Sequence, residues 1–183
     1  MTEEEKDFQN IRDYIAGSEQ AFNSIVRKYS QKIYWHARRM LGNHSDADEI
    51  TQEVLIVLYE KLKTFEFKSS LYTWIYRITS NRCINMLRRQ SIRNLFFSGD
   101  TDQEYPESGN DIVSGIENRE KVQQLNRILQ TLPAKQREVF ILRHFDEMSY
   151  EEISKITGKS VGGLKANYFH ALRKVMQLQE KDD

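Results

Sequence analysis

The chain has 183 residues, and 27 Lys and Arg against 27 Asp and Glu leave no formal net charge. Hydrophobic residues make up 39%, enough to build a core, which excludes a chain that is disordered throughout. A single cysteine, Cys83, excludes an intramolecular disulfide and a metal site made of cysteines alone. The acidic start, MTEEEKDF, does not fit a signal peptide, and the longest apolar run, 54–59, is too short for a membrane span. We therefore expect a soluble, cytoplasmic protein without membrane insertion.

Helix breakers are scarce, since the chain contains only 8 Gly and 2 Pro, and this favours an all-α fold. The one stretch that is rich in breakers and lacks apolar periodicity is 96–117, which is also acidic. We therefore predict two small helical domains, 1–95 and 118–183, joined by a flexible acidic linker over 96–117.

The amino-terminal domain is predicted to contain four helices, each marked by a start or stop signal. Thr2 opens the first helix with a capping box, and Ser18 caps the second. Gly42 is placed to end the second helix in the left-handed conformation. Ser45 is predicted to cap the third helix, and the fourth is predicted to begin near Ser70.

The third predicted helix carries an acidic cluster: Asp46, Asp48, Glu49 and Glu53. Carboxylates in a first helical turn normally complement the helix dipole. A divalent metal site is disfavoured, because there is no Glu-x-x-His pair and His44 is expected to precede the helix cap. A docking surface for a basic partner is the better interpretation.

The segment SLYTWIYR at 70–77 combines aromatic and basic residues at the start of the fourth helix. Aromatic rings can hold unpaired bases by stacking, and arginines can follow the phosphate backbone. Tyr72 and Tyr76 lie four residues apart and so share a helix face, whereas Trp74 is in register with the core positions. The alternative for the two tyrosines is a half-buried aromatic rim.

The carboxyl-terminal domain is predicted to end in a helix-turn-helix over 149–174. Pro133 stops one helix and suits the first turn of the next. Ser149 opens a short helix with a capping box, the turn TGK follows at 157–159, and Ser160 begins the last helix.

The last helix offers Lys165, Asn167, Phe169 and His170 outside its apolar seam, and Gly162 and Gly163 allow close approach to phosphates. Helix-turn-helix geometry also occurs in three-helix corners that bind no DNA. Because 153–179 contains lysines and arginines but no Asp or Glu, we favour DNA binding.

Charge is strongly segregated along the chain. Residues 67–99 contain no Asp or Glu, 100–118 contain no Lys or Arg, and 153–179 again contain no Asp or Glu. A single such run is usually a solvated face, but two basic stretches around an acidic connector indicate two contacts with one polyanion. The histidines are scattered and there is no phosphate-binding glycine loop, so we expect neither enzymatic activity nor a cofactor.

Four segments together resemble bacterial RNA polymerase sigma factors of the extracytoplasmic-function family. DADEITQEV at 46–54 is similar to the family's core-polymerase-binding helix, and SSLYTWIYRITSN at 69–81 to its segment for −10 recognition and melting. LPAKQREVF at 132–140 and SYEEI at 149–153 are similar to the start of its −35-binding domain. The resemblance extends over nearly the whole chain, in the family's order and spacing.

The resemblance implies core RNA polymerase and promoter DNA as partners. Docking on the clamp helices of the β′ subunit would use Asp46, Asp48, Glu49, Gln52 and Glu53. Binding and melting of the −10 element would use Lys68, Ser69, Ser70, Leu71, Tyr72, Tyr76, Arg77, Asn81, Arg82, Asn85, Arg88 and Arg89. The carboxyl-terminal domain would sit on the β flap and read the −35 element through Arg143, Ser160, Gly162, Gly163, Lys165, Ala166, Asn167, Phe169, His170 and Arg173. Whether an anti-sigma factor also binds is left open by the sequence.

The recognition helix departs from the family pattern. GLKAN at 163–167 and His170 stand where the family commonly has a Thr-Val-Lys-Ser-Arg run followed by an arginine. Asn85 stands where an aspartate is frequent. The promoter sequence therefore does not carry over from other members.

The alternative is a stand-alone helix-turn-helix regulator that binds DNA without polymerase. It would account for the last helix, but it explains neither the acidic third helix nor the aromatic segment at 72–77.

Overall fold

The computed structural model describes residues 1–96 and 116–182, with side chains over 1–96 and 122–179. All regular structure in these ranges is helical, which confirms the predicted all-α class. The predicted linker lies outside the described residues except at its ends, where Phe96 ends one helix and Ile116 begins the next. No helix within the described ranges is long and apolar enough to cross a membrane.

Four α-helices form the amino-terminal half: α1 (Glu3–Ile15), α2 (Glu19–Leu41), α3 (His44–Lys61) and α4 (Leu71–Phe96), with a 3₁₀ turn (Leu62–Thr64) after α3. The capping box at Thr2 and the cap at Ser18 are confirmed, since both side chains accept backbone N–H bonds. Gly42 ends α2 with a φ of 84°, in the left-handed region as predicted.

The prediction that Ser45 caps α3 is wrong, because Asn43 takes that role. The Asn43 Oδ1 accepts from the Asp46 backbone N–H at 2.8 Å, and its amide donates to the Asp46 carboxylate at 2.7 Å. His44 is therefore the first residue of α3 instead of preceding the cap. Asn and Ser are about equally good caps, so the sequence alone does not distinguish the two positions.

The carboxyl-terminal half consists of α5 (Ile116–Gln130), α6 (Ala134–His144), α7 (Tyr150–Thr157) and α8 (Val161–Asp182). The capping box at Ser149 is confirmed, and Gly158 ends α7 with a φ of 70°. The α7–turn–α8 unit is the predicted helix-turn-helix, in which the buried Ile153, Ile156 and Leu164 join the two helices.

The core of the amino-terminal half lies along α2, whose Ile25, Tyr29 and Ile33 are buried against α1, α3 and α4. Asp7 on α1 is buried as well, and its carboxylate accepts from Lys28 Nζ at 2.6 Å and from the Tyr29 hydroxyl at 2.5 Å. Burial, together with the hydrogen bond to Asp7, raises the pKa of Tyr29. This buried polar network fixes α1 on α2.

The two halves pack against each other, with α7 on α4 and with α5 and α6 on α2. The Gln130 amide donates to the Arg39 carbonyl at 3.0 Å, and the Arg137 guanidinium donates to the Met40 carbonyl. The positive φ of Gly42 favours glycine, and a Cβ there would also lie 2.6 Å from the Gln130 side chain, which would have to shift. A continuous apolar core therefore spans both halves.

Cys83 on α4 provides a test of this packing. The thiol is fully buried, and burial, followed by the nearby Glu138 carboxylate, raises its pKa. Because the thiolate is the reactive form, we expect native protein to resist iodoacetamide at mildly alkaline pH and to react once denaturant unfolds it. Mass spectrometry across a urea series measures this, with Glu4→Cys as an exposed control; rapid labelling of Cys83 in native buffer would contradict the buried placement.

Candidate nucleic-acid and polymerase interfaces

The start of α8 presents a continuous exposed face on the helix-turn-helix. Every predicted −35 residue lies at the surface, and Asn167 is the only one of them that is half-buried. The hydroxyl of Ser160 accepts from the Gly163 N–H at 3.3 Å, and the Asn167 amide donates to the Gly163 carbonyl at 3.0 Å. Phe169 is 60% exposed, an unusual position for a phenylalanine and one suited to contact with a thymine methyl group.

Tyr150, which sequence reasoning missed, organises the cations beside this face. Its ring lies 5.6 Å from the Arg143 guanidinium and 5.7 Å from Lys165 Nζ, so both cations are held over one aromatic ring. Arg143 also donates to the Met148 carbonyl at 3.2 Å. The signal for Tyr150 was its place directly after the cap at Ser149, where a side chain of the first turn lies beside the recognition helix.

A second exposed face runs along α3. Glu49 and Gln52 are exposed on it, whereas Asp46 is engaged by Asn43 and by the Gln90 amide at 2.7 Å. Glu53 forms an ion pair with Arg82 of α4, and Asp48 lies 3.3 Å from His44 Nε2. The five predicted core-binding residues thus divide into two exposed ones, Glu49 and Gln52, and three with partners inside the protein.

Sequence reasoning also missed the apolar continuation of this face. Ile56 and Tyr59 are 57% and 54% exposed, and they follow Glu49 and Gln52 at helical spacing. We call the four residues Glu49, Gln52, Ile56 and Tyr59 the α3 face.

Ten of the twelve predicted −10 residues are exposed or half-buried on α4 and the loop before it. Exposed polar and basic side chains dominate this surface: Lys68, Arg77, Asn81, Asn85, Arg88 and Arg89. Ser69, Ser70, Tyr72 and Arg82 are half-buried, and the Ser70 hydroxyl caps α4 by accepting from the Thr73 N–H at 3.1 Å. Lys68 forms an exposed ion pair with Glu66 at 2.6 Å.

Two predicted −10 residues do not lie on this surface. Leu71 is fully buried, so it does not form the wall of a surface pocket. Tyr76 is only 2% exposed, because its hydroxyl donates to the Asp146 carboxylate at 3.2 Å and its ring packs into the carboxyl-terminal half. The burial of both residues has one cause: tertiary packing covers positions that the helical periodicity of α4 leaves ambiguous.

A cleft of about 350 Å³ opens beside Tyr72, between the two halves. Its wall on α2 carries a row of cations and an aromatic ring: Lys28, Lys32, Trp35 and Arg39. Lys32 lies 5.7 Å from the Tyr72 ring, and the Arg39 guanidinium lies 4.3 Å from the Phe145 ring. Burial and the charge of Asp146 raise the pKa of Tyr72 to about 12. The helical spacing of these cations along α2 indicates a shared face, which the sequence analysis did not consider.

Comparison with known proteins finds a matching family model in each half of the chain. Residues 25–92 match the model of sigma-70 region 2, and residues 122–175 match that of sigma-70 region 4. The ECF RNA polymerase sigma factor SigW of Bacillus subtilis is 32% identical, with 95% of this chain and 96% of that protein aligned. The chain belongs to the extracytoplasmic-function family of RNA polymerase sigma factors. The sigma-E factor of Escherichia coli K12 is also 32% identical, over 93% of each protein.

The solved structures show the same fold. The sigma factor RpoE of Bartonella quintana, in complex with the anti-sigma factor NepR, matches 88% of this sigma factor with a TM-score of 0.73 at 22% identity. CnrH, in complex with the cytosolic domain of CnrY, matches 97% with a TM-score of 0.73 at 20% identity.

Both halves of the chain therefore match sigma factor regions, which supports a transcription initiation factor over a stand-alone helix-turn-helix regulator. Within the described part of the chain, His, Cys, Asp and Glu form no group that could hold a metal ion.

Proposed function

We propose that this sigma factor is a dissociable, non-catalytic initiation factor that acts in the cytoplasm and contacts polymerase and promoter DNA through three separate faces. The observation that carries the proposal is their placement. The α3 face, the exposed side of α4 and the start of α8 are all presented by helices of one packed core. Each face has a different chemistry, so each fits a different contact.

The α3 face is proposed to dock on the β′ clamp helices of core polymerase. Its exposed acid, Glu49, fits a basic partner, and the exposed Ile56 and Tyr59 supply the apolar area that a stable interface requires. Asp46 and Glu53 contribute indirectly, because their bonds to Asn43, Gln90 and Arg82 hold α3 in place.

The surface of α4 and the loop before it are proposed to hold the melted −10 strand. Tyr72 supplies a ring for stacking, Asn81 a polar edge for reading a base, and Arg77, Arg88 and Arg89 cations for the phosphates. The cations Lys28 and Lys32 of the cleft extend this basic surface onto α2.

The start of α8 is proposed to enter the major groove of the −35 element while the carboxyl-terminal half sits on the β flap. Lys165 and Arg173 are assigned to phosphates, and Asn167, Phe169 and His170 to base edges. An anti-sigma factor is a further proposed partner, because RpoE of Bartonella quintana was solved in complex with the anti-sigma factor NepR.

Charge reversal on the α3 face should weaken docking. Glu49→Lys is expected to reduce affinity for core polymerase roughly three- to tenfold at low salt, and less at high salt, because exposed charges act mainly on association. Fluorescence titration with core polymerase across a salt series measures this. Glu4→Lys makes the same charge change on α1 as a control; equal affinities for the two variants would rule out docking through Glu49.

On the recognition helix, two substitutions should act differently. Asn167→Ala should cost about 1–3 kcal/mol at one base position and relax the preference there. Lys165→Ala should weaken binding to all sequences alike and reduce the salt slope by about one. Selection by holoenzyme from promoters with a randomised −35 element distinguishes them. If wild type and Asn167→Ala select the same sequences, Asn167 does not read a base.

Tyr72 should act after promoter binding. Tyr72→Ala is expected to leave core binding intact and to weaken open-complex formation by roughly 1–3 kcal/mol, the value of one base–aromatic stack. Tyr72→Phe keeps the ring and removes only the hydroxyl, so it should open promoters almost normally. Permanganate footprinting on linear and premelted templates measures opening; normal thymine reactivity of Tyr72→Ala on linear DNA would place Tyr72 in the aromatic rim only.

A further inference from the structure

The loop between the 3₁₀ turn and α4 contains a residue in an unfavourable backbone conformation. Phe67 has a φ of 55°, in the left-handed region that glycine adopts freely and a bulky side chain rarely does. Among the residues that the structure describes, Glu147, with a φ of 53°, is the only other non-glycine residue of this kind. Such a conformation persists only where surrounding contacts impose it, and it occurs most often at functional sites.

Packing of the Phe67 ring against α1 imposes this conformation. The ring meets that of Phe8 edge-on, with the two centroids 5.2 Å apart, and lies 5.1 Å from the ring of Phe65. The Arg12 guanidinium lies 5.6 Å from the centroid of the Phe67 ring, close enough for a cation–π contact. Phe8 and Arg12 both belong to α1, so a loop residue next to α4 is held by the first helix of the chain.

Backbone hydrogen bonds do little to hold this loop. The Phe65 N–H donates into the 3₁₀ turn at 3.1 Å, and the next such bond runs from the Trp74 N–H to the Ser70 carbonyl at 3.2 Å. Between them, residues 66–69 form no backbone hydrogen bond with any part of the chain that the structure describes. Side-chain packing therefore fixes the shape of the loop.

The two phenylalanines of the loop have different roles in this packing. Phe65 is buried in the hydrophobic core, where its ring lies 5.4 Å from that of Trp74 on α4. Phe67 lies outside that core and is 36% exposed. Phe65 thus anchors the loop to the fold, whereas Phe67 sets the path of the residues that follow it.

The loop leads directly into residues that the proposed function assigns to the −10 strand. Lys68 and Ser69 follow Phe67 along the chain. Ser70 then caps α4, and Tyr72 lies in the first turn of that helix. The backbone dihedrals of Phe67 therefore set where the next two residues lie relative to the Tyr72 ring. A loop already held in one shape need not be ordered when a base enters, which lowers the cost of binding.

We propose that Phe67 is a positioning residue for promoter opening, and that its packing on Phe8 and Arg12 holds the loop in the shape that receives an extruded −10 base. The inference rests on the proposed −10 function of this loop and α4. Through Phe67, α1 contributes to base capture without a contact of its own to DNA. Because apparent affinity falls with the fraction of molecules in the competent shape, loosening the loop has a measurable effect.

The test measures how strongly holoenzyme depends on each base of a premelted −10 element. The promoter is one that wild-type holoenzyme selects from randomised sequences, and each probe carries a single abasic site at one −10 position of the non-template strand. Wild-type holoenzyme should lose the most affinity at the position whose base is captured. Premelting removes the cost of opening the duplex, so this loss reports capture of the base alone.

Phe67→Gly removes the ring and relieves the backbone, so the loop can leave its shape. If the competent shape then holds about one-tenth of the molecules, this variant should bind the intact probe roughly tenfold more weakly than wild type. The abasic site at the capture position should cost it far less than it costs wild type. Affinity for core polymerase and thermal unfolding should stay close to wild type, and Phe67→Tyr, which keeps the ring, should restore base capture.

Two further positions separate positioning from other effects. Glu147→Gly gives the same backbone relief at the other left-handed non-glycine residue, which is exposed and lies outside the three proposed faces, so it should match wild type. Phe8→Ala removes the ring on which Phe67 packs and should reproduce the pattern of Phe67→Gly. Arg12→Gln, at an exposed position that folding does not depend on, should shift base dependence in the same direction by a smaller factor.

Three outcomes would overturn the inference, and they differ in what they leave standing. A wild-type abasic pattern and affinity in Phe67→Gly would refute the role of Phe67 and leave the proposed function intact. A defect in Phe67→Gly, with normal base capture in Phe8→Ala and Arg12→Gln, would show that the Phe67 ring contacts the base itself. A wild-type holoenzyme that depends on no −10 base would refute the proposed −10 function, and the inference with it.

Discussion

The arrangement of the molecule depends on one buried carboxylate. Asp146 accepts hydrogen bonds from His36 on α2 and Tyr76 on α4, and these bonds bring the helix-turn-helix half onto the amino-terminal half. A buried carboxylate is stable only while its partners stay in place, and removing one partner of such a pair typically costs about 3–5 kcal/mol. Replacing Asp146 would therefore leave the buried His36 and Tyr76 without their shared partner at the contact between the halves.

The cationic side chains have two roles in this structure. Some hold the fold: Arg82 of the first acid-free stretch pairs with Glu53, and Lys159 of the second binds Glu138 at 2.8 Å. Others, such as Arg88, Arg89 and Arg173, are exposed. Charge segregation along the sequence therefore overstates the polyanion-binding surface, since part of the positive charge is used internally.

Helix caps were predicted reliably from the sequence, because a cap depends on hydrogen bonds between neighbouring residues. The capping boxes at Thr2 and Ser149 formed as predicted, and Gly42 and Gly158 adopted the left-handed conformation that ends a helix. Each of these depends on a few neighbouring residues, so it can be read directly. The cap of α3 was misplaced by two residues because Asn43 and Ser45 are comparable caps and only the observed bond decides between them.

The sequence predicted which helices carry the candidate site, but not which of its side chains are buried or what lies beside them. Residue types and spacing indicated the recognition helix, the acidic α3 and the aromatic segment of α4, because these depend on which side chains share a helix face. The residues Tyr150, Ile56, Tyr59 and Lys32 were missed, since their importance depends on what lies beside them in space. The burial of Leu71 and Tyr76 was missed for the same reason.

The sequence by itself determined an all-helical chain with a helix-turn-helix and with basic and acidic faces, because helix formation and amphipathicity follow from local order. Only the tertiary structure decided that the two halves share a core and that Tyr76 lies inside it. The physical reason is that contacts such as His36 with Asp146 join residues far apart in the chain. Their energy depends on burial and geometry, which no local pattern of residues encodes.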